Sequence, residues 1–126
     1  MAHVLDASLI LASLNGEPGG EQLPAFMEGA AISVVTYVEV VTKLLDAGAT
    51  YAVATEAMME LDLPMVEVTE EVAKRAAELR STTRHHGLSL GDRVCLAMAE
   101  LLGASAVTAD RAWATVEARA PIILIR

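Results

Sequence analysis

The sequence has a single cysteine and very few aromatic residues. Cys95 is the only cysteine, so no disulfide can form within the chain, and we expect a cytoplasmic protein. Aromatic residues make up 3% of the 126 residues, yet the hydrophobic fraction is 54%, mostly Ala, Val and Leu. This composition excludes a disordered chain and favours helices packed on a buried sheet.

Targeting and membrane-spanning patterns are also missing. The first six residues, Met1 to Asp6, include no basic leader, and an acid stands where a signal peptide would be apolar. No apolar run approaches the roughly 20 residues that a membrane helix needs. The length fits one domain, so we expect a single domain over 1–126 with no membrane attachment.

The chain lacks an excess of positive charge, since its net charge is −8. Phosphate-binding surfaces are usually basic, so this balance argues against nucleic-acid binding unless the acids gather around a divalent cation. The basic residues are clustered: five of the nine lie within residues 74–93. That segment is either a phosphate-binding surface or a solvated helix face.

Short apolar runs alternate with helical patterns along the whole chain. Strands are predicted at 3–5, 31–35, 65–68, 105–108 and 122–125, and the longer helices at 7–14, 36–47, 50–61, 69–83 and 89–102. Continuous apolar strands separated by helices indicate a parallel sheet covered on both faces. The predicted fold is a three-layer α/β/α domain with about five parallel strands.

Four acids fall where such a fold binds ligands, beyond the carboxyl ends of the strands. Asp6 follows the first strand and Asp110 follows the fourth, whereas Glu39 and Asp92 lie in the first turns of two helices. Each also has a simpler interpretation. Asp6 and Asp110 could cap a helix or turn, and Glu39 and Asp92 could close capping boxes that begin at Thr36 and Ser89.

Clustered carboxylates favour a metal site over four separate caps. Asp6 lies among apolar residues, where burying a lone acid is costly. Carboxylates packed together repel one another and raise at least one pKa unless a cation neutralises them. Oxygen ligands of this kind suit Mg²⁺ or Mn²⁺.

The same residues carry a resemblance to PIN domains, and specifically to VapC-like toxins of toxin–antitoxin pairs. Four segments match in the order of that family, and they extend over nearly the whole chain. They are Val4-Leu5-Asp6-Ala7-Ser8, Ser33-Val34-Val35-Thr36-Tyr37-Val38-Glu39, Leu88-Ser89-Leu90-Gly91-Asp92 and Val107-Thr108-Ala109-Asp110-Arg111-Ala112-Trp113.

The resemblance implies Mg²⁺- or Mn²⁺-dependent cleavage of RNA. It makes Asp6, Glu39, Asp92 and Asp110 the acidic quartet, with Ser8 and Thr108 as hydroxyls near the metal. Asp6, Asp92 and Asp110 are then the expected metal ligands, and Glu39 orients the attacking water or holds a second metal. It further implies a cognate antitoxin and a homodimer. The candidate RNA contacts are Arg80, Arg84, Arg93 and Arg111.

Two exposed-surface hypotheses concern partners. The segment 36–47 carries apolar residues on more than one helix face, which suggests a homodimer or antitoxin surface. Met58, Met59 and Met65 could form an adaptable groove for a partner helix, although core packing is the alternative.

Three other classes compete with the nuclease interpretation. A haloacid-dehalogenase phosphatase needs a second Asp two residues after the first, where this chain has Ser8. A response-regulator receiver needs a Lys after its final strand, where this chain has Leu124-Ile125-Arg126. A non-catalytic binding module, in which the acids remain as caps, is the alternative that a metal-binding measurement would distinguish.

Overall fold

Five short parallel strands form the centre of the molecule, seen in a computed structural model that describes residues 1–126. Their order in the sheet is β3-β2-β1-β4-β5, and each neighbouring pair is parallel. The strands are β1 (His3–Leu5), β2 (Ala30–Ser33), β3 (Met65–Val66), β4 (Ser105–Thr108) and β5 (Ile122–Leu124).

Six α-helices connect and cover the strands. They are α1 (Ala7–Asn15), α2 (Leu23–Phe26), α3 (Val34–Asp46), α4 (Tyr51–Leu61), α5 (Glu70–Thr83) and α6 (Leu90–Leu102). Thr50, Thr69 and Ser89 begin α4, α5 and α6 as predicted, each accepting a hydrogen bond from the backbone N–H three residues on. None of the six combines the length and hydrophobicity needed to cross a bilayer.

Successive strand residues point into two separate cores. Val4 and Ala106 pack with α5 and α6, whereas Leu5 and Val107 pack with α1, α3 and α4. This alternation is what a sheet covered on both faces requires, and it confirms the three-layer α/β/α prediction. Cys95 and Trp113 are completely buried.

The start of α3 differs from the sequence prediction. The strand before it ends at Ser33, and Ser33 Oγ accepts the Thr36 N–H at 3.0 Å, so the helix begins at Val34 rather than Thr36. The predicted capping box between Thr36 and Glu39 is therefore wrong. Val34 and Val35 are β-branched, but the Ser33 cap and tertiary packing outweigh their preference for strand.

The connections place a crevice beside β1. From β1 the chain runs outward through β2 and β3 on one side, then returns to β4 and β5 on the other. Adjacent connections leave β1 and β4 toward opposite faces of the sheet, and this reversal opens a crevice at the carboxyl ends of the strands. Asp6 directly follows β1, and Asp110 follows β4 by two residues.

Candidate active site

A cavity of about 360 Å³ lies at this edge of the sheet. All four acids predicted from the sequence line it, although they come from four separate elements. The remaining polar and charged residues of its wall are Ser8, Glu17, Lys43, Ser89 and Arg126.

Asp6 is the most deeply buried of the four acids, with 2% of its surface exposed. Its Oδ2 accepts hydrogen bonds from Ser8 Oγ at 2.6 Å, Thr108 Oγ1 at 2.9 Å and the Ser8 N–H at 3.4 Å. The last of these makes Asp6 the N-cap of α1. Oδ1 accepts no hydrogen bond from the protein, so one oxygen of this carboxylate remains available to a ligand.

Ser8 and Thr108 fix the position of Asp6 relative to the end of β4. Ser8 Oγ accepts the Ala109 N–H at 2.9 Å, and Thr108 Oγ1 accepts the Asp110 N–H at 3.0 Å. Each hydroxyl therefore receives a hydrogen bond from the β4 end and donates one to Asp6. The pair joins the carboxyl ends of β1 and β4 with no charge of its own.

In Asp92 and Asp110, as in Asp6, one carboxylate oxygen accepts a capping hydrogen bond from a backbone N–H. Asp92 Oδ2 accepts the Ser89 N–H at 2.9 Å and completes the predicted capping box of α6. Asp110 Oδ1 accepts the Ala112 N–H at 2.9 Å and caps a 3₁₀ turn. The capping interpretation is thus correct for three acids, but each cap uses one oxygen and leaves the other without a hydrogen bond.

Glu39 has no such structural role. It lies in the second turn of α3, and its Oε1 is buried without any hydrogen-bond partner. The carboxylate rests directly on Gly91 of α6, where a Cβ atom would overlap Glu39 Oε1 and Cδ. Glycine at position 91 therefore lets Glu39 lie flat against the first turn of α6, one residue before Asp92.

Burial and neighbouring negative charges raise the pKa values of three acids in the cavity. Burial, together with the nearby charges of Asp6 and Asp92, raises the pKa of Glu39 to about 7. Burial and the Asp6 charge raise the pKa of Asp92 to about 6. Burial also raises the pKa of Asp6, against the opposing effect of its hydrogen bonds. Only Lys43 lowers the pKa of Glu39.

The acids surround the cavity without closing on one point. No three His, Cys, Asp or Glu side chains lie in metal-ligating geometry.

Comparison with known families identifies the fold. Residues 3–118 match the PIN domain family. The chain belongs to the PIN domain family. The match includes all four acids predicted from the sequence, so it extends over the site as well as the sheet.

Solved structures with the same fold include toxin–antitoxin proteins. A toxin–antitoxin complex from Klebsiella pneumoniae is 23% identical with a TM-score of 0.72, over 90% of this chain and 92% of that one. VapBC2 from Rickettsia felis, bound to a promoter DNA fragment, is 15% identical with a TM-score of 0.75 over 97% of both chains. VapBC-5 from Mycobacterium tuberculosis is 24% identical with a TM-score of 0.65 over 98% of both. Among curated proteins, none matches significantly.

The PIN domain's cavity does not include the arginines proposed from the sequence. Arg80, Arg84 and Arg111 are exposed elsewhere, and Arg93 Nη1 donates to the Ala76 carbonyl of α5 at 3.0 Å. Their role in binding RNA stays a prediction.

Three charged residues of the wall were not identified from the sequence: Glu17, Lys43 and Arg126. Lys43 follows Glu39 by one helical turn, a spacing that places both on the same face of α3. Arg126 follows β5, so the rule that located Asp6 and Asp110 at strand ends also applies to it. Glu17 lies in a loop and carries no comparable signal.

Proposed function

We propose that this PIN domain is a divalent-metal-dependent endoribonuclease that hydrolyses RNA phosphodiester bonds, and that it is the VapC-like toxin of a toxin–antitoxin pair. The observation that carries the proposal is the buried, unpartnered Oε1 of Glu39 beside Asp6 and Asp92. Capping explains the other three acids in part, but nothing in the fold explains this one. An unsatisfied buried carboxylate is costly, and strongly shifted pKa values are typical of functional sites.

The donor set fits Mg²⁺ or Mn²⁺. Asp6, Asp92 and Asp110 each keep one oxygen free of hydrogen bonds, and all three line one cavity. These three carboxylates would hold the ion, because hard divalent cations prefer charged oxygen ligands. A bound cation would supply an acidified water and neutralise charge on the scissile phosphate.

The chain's own residues would orient the reaction. Glu39, with a pKa of about 7 in the metal-free protein, can accept a hydrogen bond or a proton from the attacking water at Oε1. Ser8 and Thr108 hold Asp6 Oδ2, which fixes the orientation of a carboxylate whose Oδ1 makes no hydrogen bond. The family's members are generally nucleases, which agrees with this assignment.

A second cavity, which unlike the first is lined mainly by apolar residues, supports an antitoxin partner. It measures about 330 Å³ and lies between α3, α4 and β3, with Met58, Met59 and Met65 in its wall. Met59 is 77% exposed and Met65 54% exposed, so two of the three methionines lie on the surface rather than in the core. Methionine suits an adaptable surface for an amphipathic partner segment. Two of the structural neighbours are VapBC toxin–antitoxin proteins, which supports the same class of partner.

The outer surface of α3 supports the homodimer. Val38 is 60% exposed and Leu45 39% exposed, whereas Val40 and Val41 are buried. The helix thus has apolar residues on its exposed side as well as toward the core. Sedimentation at increasing concentration tests the homodimer, and co-expression with the adjacent gene's product tests the antitoxin.

The nuclease proposal is tested on a panel of structured RNAs, with Mg²⁺, with Mn²⁺ and with a chelator. We expect cleavage only with metal, and a melting temperature that rises with metal because the ion binds the folded state. Glu39→Gln keeps the size of the side chain and should lose cleavage. Glu56→Gln, an exposed acid of α4, is the matched control and should retain it.

Two results together would contradict the nuclease. If no RNA is cleaved and millimolar metal leaves the melting curve unchanged, the chain is a non-catalytic PIN module. If metal raises the melting temperature but both variants cleave equally well, the metal site is supported and the proposed role of Glu39 in orienting the attacking water is contradicted.

A further inference from the structure

Two cations share the wall of the carboxylate cavity. Lys43 lies one turn after Glu39 on α3, and Arg126 lies two residues after β5, the strand that pairs with β4. Five carboxylates line the same cavity, so these two side chains are its only positive charges.

Arg126 is held in place by uncharged groups. Its Nε donates to the Ala109 carbonyl at 3.0 Å and its Nη1 donates to the Pro18 carbonyl at 3.0 Å. The preceding residue is fixed as well, since the Ile125 N–H bonds Thr108 O at 3.0 Å and Gln22 Nε2 bonds Ile125 O at 2.8 Å. The guanidinium is therefore preorganised beside Asp110, and its Nη2 makes no hydrogen bond.

Neither cation is neutralised by an ion pair. The molecule's ion pairs within 4.0 Å involve only Lys74, Arg75 and Arg119 as cations. Lys43 and Arg126 thus keep their charge available at the edge of an acidic cavity. A guanidinium bound only by carbonyls retains its attraction for an anion.

We propose that Lys43 and Arg126 form a phosphate-binding subsite for the RNA backbone on either side of the scissile bond. This inference rests on the proposed function. The acids of the cavity repel a polyanion, and a bound cation offsets that repulsion only at its centre. Lys43 on α3, which follows β2, and Arg126 after β5 come from strands on either side of β1 and β4 in the sheet. Their positive charges would hold the neighbouring phosphates, and such contacts position the RNA without reading its sequence.

The test measures binding of a labelled single-stranded RNA oligonucleotide of mixed sequence at several salt concentrations, with Mg²⁺ present and with Glu39→Gln introduced into every protein compared so that the RNA is not cleaved. Lys43→Gln, Arg126→Gln and the double variant are compared with Arg119→Gln, an exposed cation outside the cavity. Each lost phosphate contact should flatten the salt dependence by about 0.7 on a log–log scale, so the double variant loses about 1.4. Arg119→Gln should match the Glu39→Gln parent.

A metal titration separates this role from a structural one. Removing cations beside the carboxylates should leave Mg²⁺ affinity equal or tighter, although RNA binds more weakly. In cleavage assays KM should rise with kcat nearly unchanged, as expected when binding is lost equally from the ground and transition states. A structural defect would instead weaken metal binding and lower the melting temperature. Lys43→Gln should fold normally, because Lys43 is exposed on a helix surface. The test therefore still holds with this variant if Arg126→Gln misfolds.

The possible failures are distinguishable. If the wild type cleaves RNA but the double variant leaves the salt slope and KM unchanged, the subsite is refuted and the nuclease stands. If the wild type cleaves no RNA but the double variant still loses salt-dependent binding, the subsite stands and the nuclease is refuted.

Discussion

Acidic side chains are withdrawn from solvent in two places, and only in one of them are they paired with a cation. Between α5 and α6, the side chain of Glu100 is 2% exposed. It accepts two hydrogen bonds from Arg75, at 2.5 and 3.1 Å, and one from the Arg119 N–H at 2.8 Å. In the cavity, Asp6 is buried and Glu39 is half-buried among other acids, and neither forms an ion pair. Charges compensated within the protein stabilise it, whereas uncompensated ones destabilise it unless a ligand neutralises them.

The pKa values record this difference. Burial acts to raise the pKa of Glu100, but the hydrogen bonds from Arg75 and Arg119 outweigh it, and the pKa is lowered. Burial raises the pKa of Glu39 to about 7, and neighbouring acids add to the effect. The same desolvation therefore has opposite outcomes, decided by the sign of the neighbouring charge.

The largest expected effect comes from Asp6→Asn in the cavity. Asparagine keeps the shape and one acceptor oxygen for Ser8 and Thr108 but removes the charge that a divalent cation requires. We expect RNA cleavage to fall by about a thousandfold, since each 1.36 kcal/mol of lost transition-state stabilisation is tenfold. Metal-free stability should be equal or higher, because one repelling charge is gone. A melting curve and a cleavage assay on the same sample measure both.

Asp46→Asn is the matched control, because Asp46 is an exposed acid at the end of α3. Cleavage by Asp6→Asn at the wild-type rate would remove Asp6 from the site and leave it as a cap.

Glu100→Gln should show the opposite pattern in the compensated region. It leaves Arg75 partly buried with only the more exposed Glu78 as an ionic partner. Breaking a buried pair from one side costs about 3 kcal/mol of unfolding free energy. Denaturant unfolding measures this loss, and cleavage per folded molecule should be unchanged. A stable variant with impaired cleavage would mean that the two regions are coupled.

Much of this arrangement follows from the sequence by local rules. The strand ends at Leu5 and Thr108 located Asp6 and Asp110, and the capping pattern located Asp92 at the start of α6. The error at α3 has a clear origin. Val34 and Val35 extend a β-branched run, so the residue pattern alone gave no sign that Ser33 ends the strand and caps the helix.

Lys43 and Arg126 were not predicted as site residues, because strand ends and capping patterns do not show which distant elements meet in the fold. Arg126 reaches the cavity because β5 pairs with β4, and its side chain bonds a loop more than a hundred residues earlier. Such proximity depends on the strand order, which periodicity does not give. The contact between Glu39 and Gly91 likewise depends on how α3 packs against α6.

Gly91→Ala tests the contact between Glu39 and Gly91 by adding a single methyl group, and we expect a smaller effect than that of Asp6→Asn. Alanine in a helix is favoured over glycine by about 0.5–1 kcal/mol, so the fold should be as stable or more so. The new Cβ would displace the flexible end of Glu39 from its position on α6. We expect cleavage to fall about tenfold, or about 1.4 kcal/mol, with a normal melting temperature.

A double-mutant comparison assigns the Gly91 effect. In a Glu39→Ala background the added Cβ has no carboxylate to displace, so Gly91→Ala should cause no further loss. An equal loss in both backgrounds would show that glycine acts at this position independently of Glu39.

The smallest effect is a pH dependence whose sign differs between the two regions. For Glu39 and Asp92 the folded pKa values of about 7 and about 6 exceed the ordinary 4.5 and 3.8, so the folded state binds more protons between those values. The metal-free protein should therefore become more stable as the pH falls from about 7 toward about 4.5. For Glu100 the folded pKa is lowered, so its contribution is present above about 4.5 and is lost as the pH falls further.

Denaturant unfolding in chelator across this range should thus show a rise in stability followed by a fall. Glu39→Gln should reduce the rise, because the amide cannot titrate, while Glu100→Gln should reduce the fall. Saturating Mg²⁺ should flatten or reverse the rise, since the ion binds the deprotonated carboxylates and competes with protons. If stability instead declines steadily below pH 7 without metal, the acids of the cavity do not hold raised pKa values. The contrast between compensated and uncompensated charge would then fail at the site where cleavage is proposed.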